Sequence, residues 1–344
     1  MKHAIQRVEW KDYGDVAGEI LRHSFPGSPT ARYAWLHKHN PAGSGALWLA
    51  RAADGRPVGT AAIHARRIIV DGRSYRAGQA SDFAVEPAAR GFGPAVALQR
   101  AVVAACESGE FEFLYGFPNH ASKTVFERIG YHLGTARRLA RPLRSHYYLQ
   151  RSGLVASLAR TLAKPLDLAI RAVCWETYGS MPRGTRLESL EAFDEAFDAF
   201  WGRLRNQHAV IADRDGEFMT WRYAQWPTRR YEFAALRRGS EIVATIVWYR
   251  IDDVVHVADL LASDRESFDG LLVAFLRAQR RAGADAVSLL LLGGAPFAAR
   301  LAKYGFLGRE VEGAAMMVYV PPASPLRGRL EDLDRWGLFE GDIL

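Results

Sequence analysis

The stretch Asp82-Phe-Ala-Val85-Glu-Pro-Ala-Ala-Arg90-Gly91-Phe92-Gly93-Pro94-Ala95 concentrates the chemistry this sequence can do. Gly91 and Gly93 permit unusual backbone angles and close approach of a ligand. Their amides can converge at the positive end of a following helix, an arrangement that suits a pyrophosphate. Pro94 has no N–H to donate and fits the first helical position. Asp82 precedes this loop and offers a carboxylate as a general base, or as the partner of a backbone amide or an arginine. Other chemistries lack their residues. There is no His-Glu-x-x-His, no Cys-x-x-Cys, no Gly-x-Ser-x-Gly and no Walker loop.

The elements that must hold these residues are legible around them. Arg56-Pro57 precedes an apolar strand, Val58 to Ile63. Gly72 marks a turn between Ile68–Val70 and a second strand, Tyr75 to Val85. The apolar spacing of Ala95, Leu98, Val102 and Ala105 predicts a helix from Pro94 to Glu107. A short buried-type strand spans Phe111 to Tyr115. A last helix, Ala121 to Ile129, is expected to stop at Gly130.

The chain also repeats itself. Trp35 with Pro41 recurs as Trp221 with Pro227. Val58-Gly-Thr-Ala-Ala-Ile63 recurs as Val243-Ala-Thr-Ile-Val-Trp248, and Phe126-Glu-Arg-Ile-Gly130-Tyr131 as Leu301-Ala-Lys-Tyr-Gly305-Phe306. Three blocks in one order favour a tandem duplication.

The loop Arg90-Gly-Phe-Gly93-Pro-Ala95, with Val85 five residues ahead, resembles the acyl-CoA loop of the GNAT acetyltransferase superfamily. So does a later series. Asn119, Ser122, Val125, Phe126, Gly130 and Tyr131 keep every spacing of that family's second signature. The resemblance covers residues 1–140. It implies an α/β fold, more closely an α+β mixed sheet, in two tandem GNAT-like domains with the second degenerate. The expected divisions are 1–145, a basic helical linker 146–182, a second domain 183–322 and a tail 323–344.

It further implies acetyl-CoA, or another acyl-CoA, as cosubstrate of an N-acyltransferase. Val85, Arg90, Gly91, Phe92, Gly93, Ala95, Asn119 and Phe126 would hold the cosubstrate, and Asp82 would deprotonate the amine. Phe126 stands where the family often has the tyrosine that protonates the departing thiolate, so Ser122, His120 and Tyr131 are the substitutes. Gln79 and Ser81 are placed to hydrogen-bond substrate. Trp221-Arg222-Tyr223 and Gly116-Phe117-Pro118-Asn119 resemble two-domain GNAT proteins of bacterial polysaccharide synthesis, which points to an amino sugar or sugar nucleotide as acceptor. A Fem-like transferase using aminoacyl-tRNA and a non-catalytic acyl-CoA-binding module are the alternatives.

In the second half, Ser263-Asp-Arg-Glu-Ser-Phe-Asp-Gly270 replaces the loop, and Asp264, Glu266 and Asp269 would repel phosphates. An arginine and aromatic cluster around Arg222, Tyr223 and Tyr231 could stack on a sugar or base, whereas Trp221 is expected to be structural. The tail residues Leu330, Leu333, Trp336, Leu338 and Phe339 are expected to dock on a domain surface. His37 and His39 are expected to be structural, and no metal site is expected.

Between the halves, Leu154, Leu158, Leu162, Leu166, Ile170 and Val173 recur at helical spacing, with Pro165 expected to kink or split the helix. A connecting helix packed on both domains is the first reading, and a basic amphipathic helix in weak contact with a membrane surface is the second. The formal net charge of +7 is local, because residues 137–171 carry eight basic side chains against Asp167 alone. Outside that stretch basic and acidic residues balance, so no nucleic-acid partner is expected. A small-molecule amine is the expected partner. Two cysteines, Cys106 and Cys174, cannot form a disulfide framework and are expected to be buried and reduced. With no secretory signal and no apolar run of spanning length, a cytoplasmic location is expected.

Overall fold

The computed structural model describes all residues except 1–2, 26–29, 91, 146–148, 150–151, 154, 174 and 295–297. Gly91, Leu154 and Cys174 therefore lie outside the described residues, as does the side chain of Phe92. Cys106 is a buried free thiol.

One mixed sheet runs through the molecule. The first half supplies β1 (Ala4–Val8), β2 (Ala46–Arg51), β3 (Pro57–Val70), β4 (Arg73–Val85), β5 (Phe113–Gly116) and β6 (His132–Pro142). The second supplies β7 (Thr185–Ser189), β8 (Val210–Ala212), β9 (Glu232–Arg238), β10 (Glu241–Ile251), β11 (Val254–Ala262), β12 (Ala286–Leu292), β13 (Leu307–Tyr319) and β14 (Leu338–Phe339). The order is β1-β2-β3-β4-β5-β13-β6-β12-β11-β10-β9-β7, with β8 on β3 and β14 on β12.

The centre of that order is an exchange. β13 sits between β5 and β6, pairing Met317 with Gly116 on one side and with Leu133 on the other. β6 in turn sits between β13 and β12, pairing Ala136 through Pro142 with Leu292 through Ala286. Each half thus lends its last long strand to the sheet of the other. The repeated sequence blocks occupy matching places. Trp35 and Trp221 stack on each other, centroids 3.9 Å apart and 9° from parallel. Such a pair is worth about 0.5–1.5 kcal/mol beyond its buried area. Gly130 and Gly305, with φ of 99° and 73°, each end a helix before β6 and β13.

Most expected elements are present and longer than the sequence predicts. Helix α1 (Trp10–Ser24) and helix α2 (Thr30–Lys38) precede β2, helix α3 spans Phe92–Glu107 and helix α4 spans His120–Ile129. Helix α3 begins two residues before Pro94, because a first-turn residue needs no N–H and Pro94 can sit inside that turn. Asn119 caps α4 by accepting from the Ser122 amide at 3.0 Å.

Helix α5 (Ala156–Val173) runs through Pro165 unsplit, and Leu158, Leu162 and Leu166 on it are exposed rather than packed on the two halves. The tail does dock, with Leu330, Leu333, Trp336, Leu338 and Phe339 all buried.

Candidate active site

Strands β4 and β5 are parallel and pair only from Ala77 with Phe113 to Ala80 with Gly116. Beyond that point β4 follows β3 to Val85 while the chain after Gly116 turns away into α4. The sheet therefore splits at the carboxyl ends of these two strands, where parallel sheets commonly take ligands. Two cavities that share Phe25, Phe83, Asn119 and Ser122 fill the split.

The outer cavity, about 420 Å³, is lined by Val85, Arg90, Ala95, Asn119, Ser122 and Val125. Five residues selected from the sequence thus meet in one place. Gly93 is exposed in the first turn of α3, and a side chain there would meet nothing closer than His3 Nδ1 at 3.7 Å. It does not line either cavity, nor does His120 or Tyr131.

The inner cavity, about 300 Å³, contains Asp82, Gln79, Ser81, Asn119, Ser122 and Phe126. Phe126 packs edge-on to Phe83 at 5.6 Å and to Tyr131 at 5.2 Å. The Tyr131 hydroxyl lies behind Phe126, buried and without a hydrogen-bond partner, and burial holds its pKa well above the usual value. Ser122 is the hydroxyl that reaches both cavities, and its Oγ donates to Asn119 O at 3.1 Å. Ser81 Oγ is buried and unpartnered against the inner cavity. Gln79 Oε1 accepts from Tyr115 at 3.3 Å.

Asp82 is the unusual residue. Its φ is +48°, in the left-handed region, where β4 bulges against β3 between the pairs Ser81–Ala62 and Ala84–Thr60. A bulge re-aims a side chain, and left-handed backbone in a non-glycine residue is held there by its surroundings. The surroundings are Arg32 Nη1 at 3.3 Å, His64 Nε2 at 3.0 Å and His37 Nε2 at 3.9 Å. Burial alone would raise the Asp82 pKa, but the Arg32 charge and the hydrogen bond from His64 outweigh it and hold the carboxyl well below its ordinary range.

His37 has its pKa pushed down to about 3 by burial and by the neighbouring His64, against the pull of Asp82. It is neutral near pH 7 and stacks on Trp10 at 4.1 Å. His37, His64 and Asp82 are a donor set that a metal ion could use. The Arg32 guanidinium on the same carboxylate opposes a dication there. Sequence spacing did not join the two histidines to Asp82, since they come from α2 and β3, and the contact is tertiary.

The second half and the tail complete the inner cavity through Met317, Ile343 and Leu344. Arg32 donates to Leu344 O at 2.5 Å. The tail is fixed by buried charge. Asp342 accepts from Arg214 at 2.7 Å and from Arg66 at 3.2 Å, and Arg214 also bonds Asp259. Arg222 donates to Gly341 O and Ile343 O. The arginine and aromatic cluster expected to stack on a ligand therefore has its core buried: Arg222 holds the tail, Tyr231 accepts from Arg222, and Tyr223 donates to Asp259.

The matching split in the second half is closed. β11 and β12 are parallel from Val254–Ala286 to Val257–Leu289, and beyond that β14 pairs with Leu291 and Leu292. Asp264 caps helix Arg265–Arg281 by accepting from the Ser267 amide, Asp269 pairs with Arg300, and Glu266 with Arg238.

A cleft at split parallel strands, opening at the start of a helix, is the arrangement that the sequence resemblance leads one to expect. Residues 5–134 match the family described as acetyltransferase (GNAT) domain. Over those residues the chain is similar to a GNAT acetyltransferase domain. No curated protein matches the chain.

Among solved structures it is similar to a probable N-acyltransferase from Enterococcus faecalis, with TM-score 0.68, 10% identity, and 93% of this chain and 73% of that one covered. A GCN5-related N-acetyltransferase from Anabaena variabilis gives 0.65 and 12%, covering 92% and 73%. Eis1 from Mycobacterium abscessus gives 0.60 and 13%, covering 92% and 73%. At these identities the likeness is one of fold. No described helix is long and apolar enough to cross a membrane.

Proposed function

We propose that the protein transfers an acyl group, acetyl in the first instance, from acyl-CoA to a primary amine of a small molecule. The observation that carries this is the pair of adjoining cavities, which share Phe25, Phe83, Asn119 and Ser122, with Val85, Arg90 and Ala95 lining one and Asp82 the other. The outer cavity takes the CoA arm, with its pyrophosphate at the start of α3 near Arg90, Gly91, Phe92 and Gly93. The inner cavity takes the amine. The nitrogen attacks the thioester carbonyl carbon, the C–S bond breaks, and an amide and the CoA thiolate leave. Asp82 stays ionised and draws the ammonium form of the acceptor inward. That ammonium gives one proton to water before its lone pair can attack, and Asp82 accepts the second, directly or through a water, once bond formation has made the remaining N–H acidic. Water supplies the proton that the thiolate takes up, with the Ser122 hydroxyl as the relay, since Phe126 has none to give.

Ser81, Gln79 and Arg32 around the inner cavity suit a hydroxylated acceptor, which supports an amino sugar or sugar nucleotide. We read the second half, residues 183–322, as a degenerate copy of the first, joined through 146–182 and followed by the tail 323–344. The β14 plug and the partnered acids support that reading. The decisive experiment is thiol release from acetyl-CoA across a panel of amines and amino sugars, with calorimetry of CoA binding. One CoA per chain and release with an amine are expected. No CoA binding, or two sites per chain, overturns the proposal, and binding without release on any amine reduces the domain to a binding module.

A further inference from the structure

We infer that helix α5 is a docking surface for an anionic lipid bilayer, lying in the plane of the headgroups. One side of the helix is already used. Ala163 is buried, and Ser145 ties the helix to the body through Asp167 Oδ1 at 2.6 Å and Ala163 O at 3.3 Å. The opposite side is apolar and bare. Leu158, Leu162 and Leu166 stand one turn apart and are 46%, 45% and 43% exposed; Val155 and Leu168 nearby are 66% and 68% exposed. Single exposed leucines are ordinary, but a contiguous stripe marks an interaction face.

The occupant is set by charge. Lys164 and Arg171 are exposed on the polar face of the helix, which at about 100° per residue lies away from the leucines, the division into a cationic face and a leucine face that a helix lying in a membrane interface carries. The helix itself carries Arg160, Lys164 and Arg171 against Asp167 alone, and Asp167 is already engaged by the Ser145 amide. Helix α5 has 18 residues and is not apolar enough to span, so the geometry fits a helix lying on the surface.

The test uses the full chain and vesicles of phosphatidylcholine alone or with three parts in ten phosphatidylglycerol. Two exposed cations predict binding to the anionic vesicles about 10-fold or more above the neutral ones, falling in high salt. Leu162→Asp with Leu166→Asp should lower that binding by about 10-fold or more, because it removes the inserted apolar area. Lys164→Glu with Arg171→Glu should erase the preference for anionic vesicles. CoA affinity serves as the control for folding in each variant, as none of these residues touches the cleft. Wild-type protein that binds neither vesicle overturns the inference. So does a wild-type dimer in light scattering that the leucine variants make monomeric without any vesicle binding, because the stripe is then a subunit interface.

Discussion

Asp82 shows how one side chain is set apart by its surroundings. A buried carboxylate normally gains protons; this one is held ionised by Arg32 and His64. Asp82→Asn keeps the shape but removes the charge that draws the amine and takes its proton. Turnover should fall by about 10²-fold or more, the usual scale for a general base. CoA affinity should stay within twofold, since Asp82 is in the inner cavity; calorimetry and thiol release read the two effects separately. His37 gives a stability prediction. Its folded pKa, about 3, lies below the ordinary 6.5, so between those values the unfolded chain binds the extra proton. Stability contributed by neutral His37 is complete above pH 6.5 and is lost as pH falls toward 3. Denaturant unfolding of His37→Gln against wild type should show a flatter acid limb in that window. An unchanged slope would mean that His37 is charged in the fold.

At the scale of elements, much was legible because local rules wrote it. The Gly130 stop, the Gly72 turn, strand β4 and helix α3 all follow from spacing and backbone freedom. What was not legible came from contacts distant in sequence. Pro165 fails to break α5, the His37–His64–Asp82 contact joins three separate elements, and Asp342 carries no local mark of its partners Arg66 and Arg214. Helix α3 gives a clean test of the cosubstrate site. Gly93 is exposed and unobstructed, and an acid in a first helical turn is itself favourable by about 0.3–1 kcal/mol. Gly93→Asp should therefore leave the melting temperature equal or slightly higher. It should weaken CoA by about 10-fold or more by setting a carboxylate against the pyrophosphate. Undiminished CoA affinity would remove the loop from the site.

At the scale of the whole molecule, the tail and the exchanged strands make one machine of two halves. The tail closes the split between β11 and β12 through β14, then runs over the Arg214–Asp342 pairs and reaches the inner cavity of the first half. Removing the Asp342 charge leaves buried Arg66 without its counter-charge and Arg214 with Asp259 alone. Asp342→Asn should cost about 3–5 kcal/mol in denaturant unfolding. Activity should suffer even in the folded fraction, because Ile343 and Leu344 lose their anchor.

The exchange of β6 and β13 makes a stronger demand. Residues 1–145 contain the whole of the proposed CoA loop, Asp82 and α4, and by sequence alone they resemble a self-sufficient domain. In the fold their β5 and β6 have no bond to each other; β13 supplies the pairing between them, Met317 against both Gly116 and Leu133. Expressed alone, that fragment presents the β5 edge, both edges of β6 and the apolar face that Met317 and Tyr319 cover, surfaces that drive edge-to-edge association. It should be insoluble or lack a cooperative thermal transition, and adding residues 146–344 as a separate chain should restore both solubility and CoA binding. A soluble 1–145 fragment that melts cooperatively and binds CoA with the affinity of the full chain would show that the first half closes its own sheet and that the exchange is dispensable.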